Sequence, residues 1–230
     1  MLSKKAKEVL LVLQKAGVLQ DLVLIGSWCG HFYISYFKKN IFNPSIQTLD
    51  IDFLIPNPGK LGHQDRSIPD LLASLDFDAE LTGSGWVRFV HPELRVEFLV
   101  PRLGPSSDEP RSIPQLHVKA MPLRHTHVLT EHMIKIQTSG LQINVPHPGA
   151  FSLHKLFVSG RRKEKGKAIR DRELAFRLLE AIRVSHMEKE LTKIWNSFTK
   201  KEQAEIRQIL ESKNPEEFGW LDEILTCPSS

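Results

Sequence analysis

The stretch that decides the fold is Leu22-Val23-Leu24-Ile25-Gly26-Ser27, together with Thr48-Leu49-Asp50-Ile51-Asp52-Phe53-Leu54-Ile55 further along the chain. The first segment is an apolar run that meets a glycine and a serine and then changes to a helical pattern. This change predicts a buried strand that turns directly into a helix. Because such a turn exposes helix N–H groups, the segment also predicts a place where an anion binds.

The second segment alternates acidic residues with large apolar ones. Asp50 and Asp52 share one face of the predicted strand, since side chains alternate between the two faces of a strand. The other face is predicted to lie in the core and carries Leu49, Ile51, Phe53 and Ile55. Two neighbouring carboxylates repel each other, and a divalent cation or a shared proton relieves the repulsion. A cation site beside an anion-binding turn suggests a nucleoside triphosphate with magnesium.

The composition is that of an ordinary globular protein. The chain has 230 residues, of which 41% are hydrophobic and 25% charged, so it can form one large domain or two small ones. A net charge of +4 is compatible with an anionic substrate or a nucleic acid and requires neither. Cys29 and Cys227 lack the spacing of a disulfide framework or a zinc motif, so we expect a reducing, cytoplasmic compartment. No segment reaches the roughly 18 apolar residues that a membrane span needs, and no membrane partner is expected.

Hydrophobic periodicity predicts a mixed first part and a helical second part. In the first part the predicted helices are residues 2–16, 27–37 and 65–75, and the predicted strands are 22–25, 48–55, 77–81, 86–90, 94–100, 129–137 and 141–145. Loops are predicted over residues 38–48 and 101–114. After Pro146 the predicted helices are residues 150–158, 168–182, 187–198, 201–210 and 215–225. The chain is therefore predicted to be α+β, with domains at residues 1–145 and 146–230.

A third acid stands inside a strand pattern. The segment Arg95-Val96-Glu97-Phe98-Leu99-Val100 sets Glu97 among large apolar residues. A carboxylate in a strand that otherwise belongs to a core needs a partner, because an unpaired buried charge is costly. Glu97 therefore needs an explanation, and an outward position on a half-solvated sheet would be one.

The order of these features resembles the core of the DNA polymerase β-type nucleotidyltransferase superfamily. The matching residues are Gly26-Ser27, Asp50-Ile51-Asp52 and the isolated Glu97. Within the superfamily the chain is most similar to bacterial predicted nucleotidyltransferases related to abortive-infection toxins, which append a helical region. Members of that branch tend to carry a lysine on the first appended helix and a later aspartate among basic residues, which Lys155 and Asp171 match.

The resemblance covers residues 20–175 and implies a fold, an activity and a site. The implied fold is a nucleotidyltransferase-like mixed sheet with flanking helices, followed by an all-helical C-terminal region. The implied enzyme transfers a nucleoside monophosphate from a nucleoside triphosphate to an acceptor hydroxyl of a small molecule, protein or RNA, with two Mg²⁺ ions and release of pyrophosphate. The implied catalytic and metal-binding residues are Asp50, Asp52 and Glu97, and the implied nucleotide-binding residues are Gly26, Ser27, Lys155 and Asp171.

Two features depart from the superfamily pattern. The gap from Ser27 to Asp50 is long and predicts a loop insertion at residues 39–47. The helix after Ser27 opens with Trp28 where a small residue is usual, which makes the approach of a phosphate to this turn a question for the structure.

Other functions remain open. One alternative is a non-catalytic nucleotide- or RNA-binding protein of the same fold. The presence of all three acids argues against it, because a binding module has no need to bury Glu97. The run of residues 161–172 carries seven basic side chains, which suit either a solvated turn or an RNA contact. His125 and His127 have no cysteine pair or His-Glu helix motif beside them, so zinc is disfavoured. Neither the P-loop nor the Rossmann glycine pattern occurs.

Overall fold

A computed structural model describes residues 2–37, 41–43, 48–61, 66–102, 108–212 and 215–226. The chain divides into two compact units, one formed by residues 1–36 and 45–146 and the other by residues 37–44 and 147–230. The first unit is a mixed β-sheet with flanking helices, and the second is helical, which confirms the predicted α+β class. The assignment of catalysis to residues 1–145 stays a prediction, and the loop predicted at residues 39–47 lies largely outside the described residues.

The strands of the first unit are β1 Val23–Ile25, β2 Asp50–Leu54, β3 Asp78–Leu81, β4 Val87–His91, β5 Leu94–Pro101, β6 Arg111–Ile113, β7 Val118–Leu123, β8 Met133–Thr138 and β9 Leu141–Pro146. Its helices are α1 Lys4–Lys15, α2 Cys29–Tyr36, α3 Ile68–Ala73 and α4 His127–Glu131. Side-chain caps define two helix starts, because Ser3 and Ser67 each accept a hydrogen bond of 3.2 Å from the backbone N–H three residues later.

The sheet brings together strands that are distant in the chain. Its order is β3-β4-β5-β2-β1-β9-β8, with β7 paired to β5 and β6 paired to β7. Strand β2 runs antiparallel to β1 and parallel to β5. The last residues of β1 therefore lie beside the first residues of β2 and β5, at one end of the central strands. The Gly26 turn is at the same end.

The first residues of β2 and β5, with the neighbouring part of β4, have one apolar face and one charged face. The apolar face is at most 1% exposed and consists of Ile51, Phe53, Phe89, Val96 and Phe98. The rings of Phe53 and Phe98, which are directly paired in the β2–β5 register, stack with centroids 5.7 Å apart. Leu49 was predicted to join this core but is 53% exposed, because β2 begins one residue later and Leu49 lies in the preceding bend.

Three elements of the first unit differ from the predicted ones. The strand predicted over residues 129–137 begins only at Met133, because α4 occupies the first part of that range. Strands β6 and β7 were not predicted, and β6 lies inside a segment predicted to be a loop. Strand β6 has three residues and pairs with β7, which in turn pairs with β5, so the pairing of distant segments accounts for these strands better than a local pattern does.

The second unit contains α5 Pro148–Ser159, α6 Lys165–Val184, α7 Lys189–Asn196, α8 Lys200–Glu211 and α9 Pro215–Thr226. These bounds agree within three residues with the five helices predicted after Pro146. Thr199 and Glu202 form a reciprocal capping box at the start of α8. Among the helices that the structure describes, none has both the length and the apolar character to cross a bilayer.

Candidate active site

The register of β2 and β5 determines which acids are neighbours. Asp50 is opposite Arg95, and Asp52 is opposite Glu97. Directly paired residues of adjacent strands project from the same face of a sheet, and residues two apart in a strand also share a face. Asp50, Asp52 and Glu97 therefore share the charged face, and all three are partly exposed.

Gly26 brings the backbone of the β1–α2 turn against one of these acids. Its φ is +74°, in the left-handed region that residues with a Cβ rarely adopt. A Cβ built on Gly26 would overlap the Oδ2 atom of Asp52. The glycine of the motif is therefore required twice, once for the turn and once for the approach of the carboxylate.

The turn itself continues into α2. The N–H of Cys29 donates to the Gly26 carbonyl at 3.3 Å, and the N–H of Gly30 donates to the Ser27 carbonyl at 3.2 Å. The helix begins at Cys29, two residues after the predicted start, and Ser27 is partly exposed. Ile25 pairs with Asp52 and Gly26 lies against the Asp52 carboxylate, so the turn into α2 and the acids are at the same end of these strands.

The ring of Trp28 points away from solvent. Trp28 is 5% exposed, and its ring lies 4.9 Å from that of His31, one turn along. Burial lowers the pKa of His31 to about 4, so its imidazole is neutral at neutral pH. Since the indole is buried in the protein, it does not cover the solvent side of the turn, and the approach of a phosphate there stays a prediction.

Arg95 is a further residue of this face, and sequence reasoning assigned it no role. Its Nε lies 2.6 Å from Oδ1 of Asp50, and the two side chains are 41% and 40% exposed. The available signal was its position, two residues before Glu97 in the same strand. The first acid of the motif therefore has a cationic partner in this structure.

Three carboxylates offer the hard oxygen donors that Mg²⁺ prefers. Asp50, Asp52 and Glu97 fit such an ion in donor type and in strand register. Among the described residues, however, no three His, Cys, Asp or Glu side chains already converge as a metal site. The Asp50 carboxylate is paired with the guanidinium of Arg95 in this structure. The two Mg²⁺ ions stay a proposal.

Lys155 and Asp171 belong to the second unit, where α5 and α6 pack together. Each is 7% exposed, and Nζ of Lys155 lies 2.5 Å from Oδ1 of Asp171. Nε of Arg162 lies 3.0 Å from Oδ2 of the same aspartate. The structure thus brings Lys155 and Asp171 together as a buried pair, and their contact with a nucleotide stays a prediction.

Comparison with known proteins places the fold in context. The model of a family described as Nucleotidyltransferase matches residues 4–200. Curated protein sequences give no significant match.

Three solved structures are similar to this chain at low identity. An antigenic nucleotidyltransferase-like protein from Paracoccidioides brasiliensis is 14% identical, with a TM-score of 0.46, and the alignment covers 96% of this chain and 91% of that one. The antibiotic-resistance factor ANT(2'')-Ia is 11% identical, with a TM-score of 0.43 and coverages of 95% and 94%. A tRNA nucleotidyltransferase solved with a primer tRNA and an ATP analogue is 14% identical, with a TM-score of 0.25 and coverages of 96% and 64%.

Proposed function

Because the chain belongs to the nucleotidyltransferase family, we propose that it transfers a nucleoside monophosphate from a nucleoside triphosphate to an acceptor hydroxyl. A bond forms between the acceptor oxygen and the α-phosphorus, the bond from that phosphorus to the leaving oxygen breaks, and pyrophosphate departs. The observation that carries the proposal is the β2–β5 register, which sets Asp52 beside Glu97 with Asp50 on the same face. A cytoplasmic location and membership in the bacterial branch related to abortive-infection toxins stay parts of the proposal.

The roles of the residues follow from their positions. Asp50, Asp52 and Glu97 would hold two Mg²⁺ ions, which supply neutralisation of the triphosphate and a more acidic acceptor hydroxyl. Glu97 accepts the proton that the acceptor hydroxyl loses. The N–H and hydroxyl groups of Ser27, just before α2, would bind the terminal phosphates, because a helix start favours anions. Lys155, with Asp171 holding it, would place a point charge on a phosphate.

Label transfer tests the proposal. Purified full-length protein is incubated with Mg²⁺, with each of the four α-³²P-labelled nucleoside triphosphates in turn, and with total RNA, lysate proteins or small-molecule extract. Wild-type protein is expected to transfer label to one acceptor class and to release pyrophosphate. Glu97→Gln is expected to lower the rate by about 10²–10⁴-fold, the usual contribution of a general base. Asp50→Asn with Asp52→Asn is expected to abolish transfer.

A matched control uses exposed acids of the same unit. Asp78→Asn with Glu131→Gln removes the same two charges from exposed positions in β3 and α4, and it is expected to keep the wild-type rate. Transfer that persists in the Asp50/Asp52 variant, or that falls equally in the control, would reject the assignment.

The Arg95–Asp50 ion pair favours a second candidate, a nucleotide- or RNA-binding protein without catalysis. A carboxylate that is neutralised by a resident arginine does not need a metal. The same assay separates the two candidates, because a binding protein retains labelled nucleotide on a filter but transfers none of it to any acceptor.

A further inference from the structure

Arg95 is a charged residue at the centre of the acidic face, and the proposed reaction gives it no role. It lies directly opposite Asp50 in the β2–β5 register and forms an ion pair of 2.6 Å with it. Arg88, on the neighbouring strand β4, is instead held by Glu80 of β3 at 2.8 Å. Arg95 therefore pairs with an acid of the candidate site, whereas Arg88 pairs with an acid of strand β3.

The Arg95–Asp50 pair is of a kind that can open without unfolding the sheet. Both side chains are about two-fifths exposed, and exposed ion pairs contribute little to the stability of a fold. The strands beneath are held independently, by the apolar face and by the backbone ladder between β2 and β5. Asp50 can therefore exchange Arg95 for another cation at small cost.

The balance of charge decides when this exchange occurs. Three carboxylates repel one another, and Arg95 offsets part of their charge in the substrate-free protein. Divalent cations bound to the same carboxylates would repel the guanidinium. A triphosphate would attract it, because the planar fork of arginine donates to two phosphate oxygens at once.

We propose that Arg95 exchanges partners, holding Asp50 in the substrate-free protein and contacting the triphosphate once metal and nucleotide bind. This inference rests on the function proposed for the site. Its consequence is a thermodynamic coupling. A nucleotide that draws Arg95 away from Asp50 raises the affinity for the metal, and the metal raises the affinity for the nucleotide by the same factor.

Binding of Mn²⁺, measured by electron paramagnetic resonance and calorimetry, tests the exchange without any turnover. Mn²⁺ is titrated alone and then with each α,β-methylene nucleoside triphosphate, which cannot release pyrophosphate. Arg95→Gln is expected to bind Mn²⁺ alone about 2–5-fold more tightly than wild type, the gain from removing an exposed competing ion pair. The factor by which the nucleotide analogue tightens Mn²⁺ binding is expected to fall toward one.

Two further variants keep the test decisive. Arg95→Lys preserves the charge and is expected to retain part of the coupling, and its thermal unfolding shows whether the site remains folded. Arg111→Gln removes a positive charge from an exposed position of β6 and is expected to behave as wild type.

The outcomes separate the inference from the proposed function. One outcome is that wild type binds Mn²⁺ and the analogue cooperatively and Arg95→Gln does the same with unchanged affinities. In that case the proposed exchange of partners is wrong and the proposed enzyme function is unaffected. If wild type binds no Mn²⁺ with or without the analogue, both proposals are wrong.

Discussion

Gly26 is the residue at which backbone geometry and the acidic face meet. Substitution by alanine imposes a left-handed conformation on a residue with a Cβ, which costs about 1–2 kcal/mol, and forces the Asp52 carboxylate to move. We expect Gly26→Ala to lower the free energy of unfolding by about 2–5 kcal/mol when the cost of overpacking is included. We also expect it to reduce nucleotidyl transfer, because Asp52 is displaced. Urea unfolding and the label-transfer assay measure the two effects.

Gly140 provides a matched control for this substitution. Its φ is +78°, close to that of Gly26, but a Cβ built there meets no atom of the described structure within 4 Å. Gly140→Ala is expected to lower the free energy of unfolding only by the cost of the left-handed conformation, about 1–2 kcal/mol, and to keep the wild-type rate of transfer. Equal losses of stability in the two variants would show that the approach of Asp52 to Gly26 is unimportant.

His31 makes the stability of the fold depend on pH. Burial lowers its pKa to about 4, whereas the unfolded chain titrates near 6.5. Between these values the unfolded state binds the proton more readily, so stability from this group is complete above pH 6.5 and decreases as the pH falls toward 4. We expect His31→Gln to flatten this part of the profile. The measurement is urea unfolding at half-unit pH steps.

His117 offers a comparison for His31. It is exposed and has a φ of +54°, a conformation that asparagine tolerates, so His117→Asn removes an imidazole without backbone strain. Between pH 4 and 6.5 the slope of the His31→Gln profile is compared with that of this variant, which has lost one imidazole at a different position. A His31→Gln profile that is parallel to wild type throughout this range would contradict the account.

At the scale of elements, the packing of α5 on α6 encloses a charged cluster. Asp171 accepts from Lys155 and from Arg162, so its removal leaves a buried ammonium without its carboxylate. We expect Asp171→Leu to cost about 3–5 kcal/mol of unfolding free energy, as is typical when one partner of a buried pair is removed. Lys155→Met is expected to cost less, because Arg162 still neutralises Asp171. Urea unfolding monitored by circular dichroism measures both.

An exposed pair of the same unit is the control for this cluster. Arg161 and Glu205 form two hydrogen bonds of 2.7 and 2.8 Å near the surface, and Glu205→Gln is expected to cost only about 0.2–1 kcal/mol. A folded Lys155→Met protein also permits a test of the proposed phosphate contact. If its rate of transfer equals that of wild type, Lys155 has a structural role only.

At the scale of the whole molecule, the candidate site exists because of sheet topology. Asp52 and Glu97 are 45 residues apart in the chain and become neighbours through parallel pairing of β2 with β5. The Gly26 turn joins them because β1 pairs with the other side of β2. No single segment contains the site, so its formation requires the central three strands of the first unit to be complete.

Local patterns in the sequence were sufficient for features that local interactions stabilise. Ser3 and Ser67 cap their helices, the Gly26 turn ends β1, and the alternation in β2 separates the acids from Ile51 and Phe53. Each of these depends on residues within one or two turns of helix or along one strand. The sequence alone therefore determined the α+β class and the three acids to consider.

Only the tertiary structure decided how those parts meet. The register of Asp52 against Glu97, the contact of Asp52 with Gly26 and the ion pair between Asp50 and Arg95 all join residues from separate strands. The elements β6, β7 and α4 were not predicted for a related reason, since pairing and packing with distant segments stabilise them and no local pattern marks them. Pairing between distant strands depends on the fit of whole apolar faces, which no window of the sequence contains.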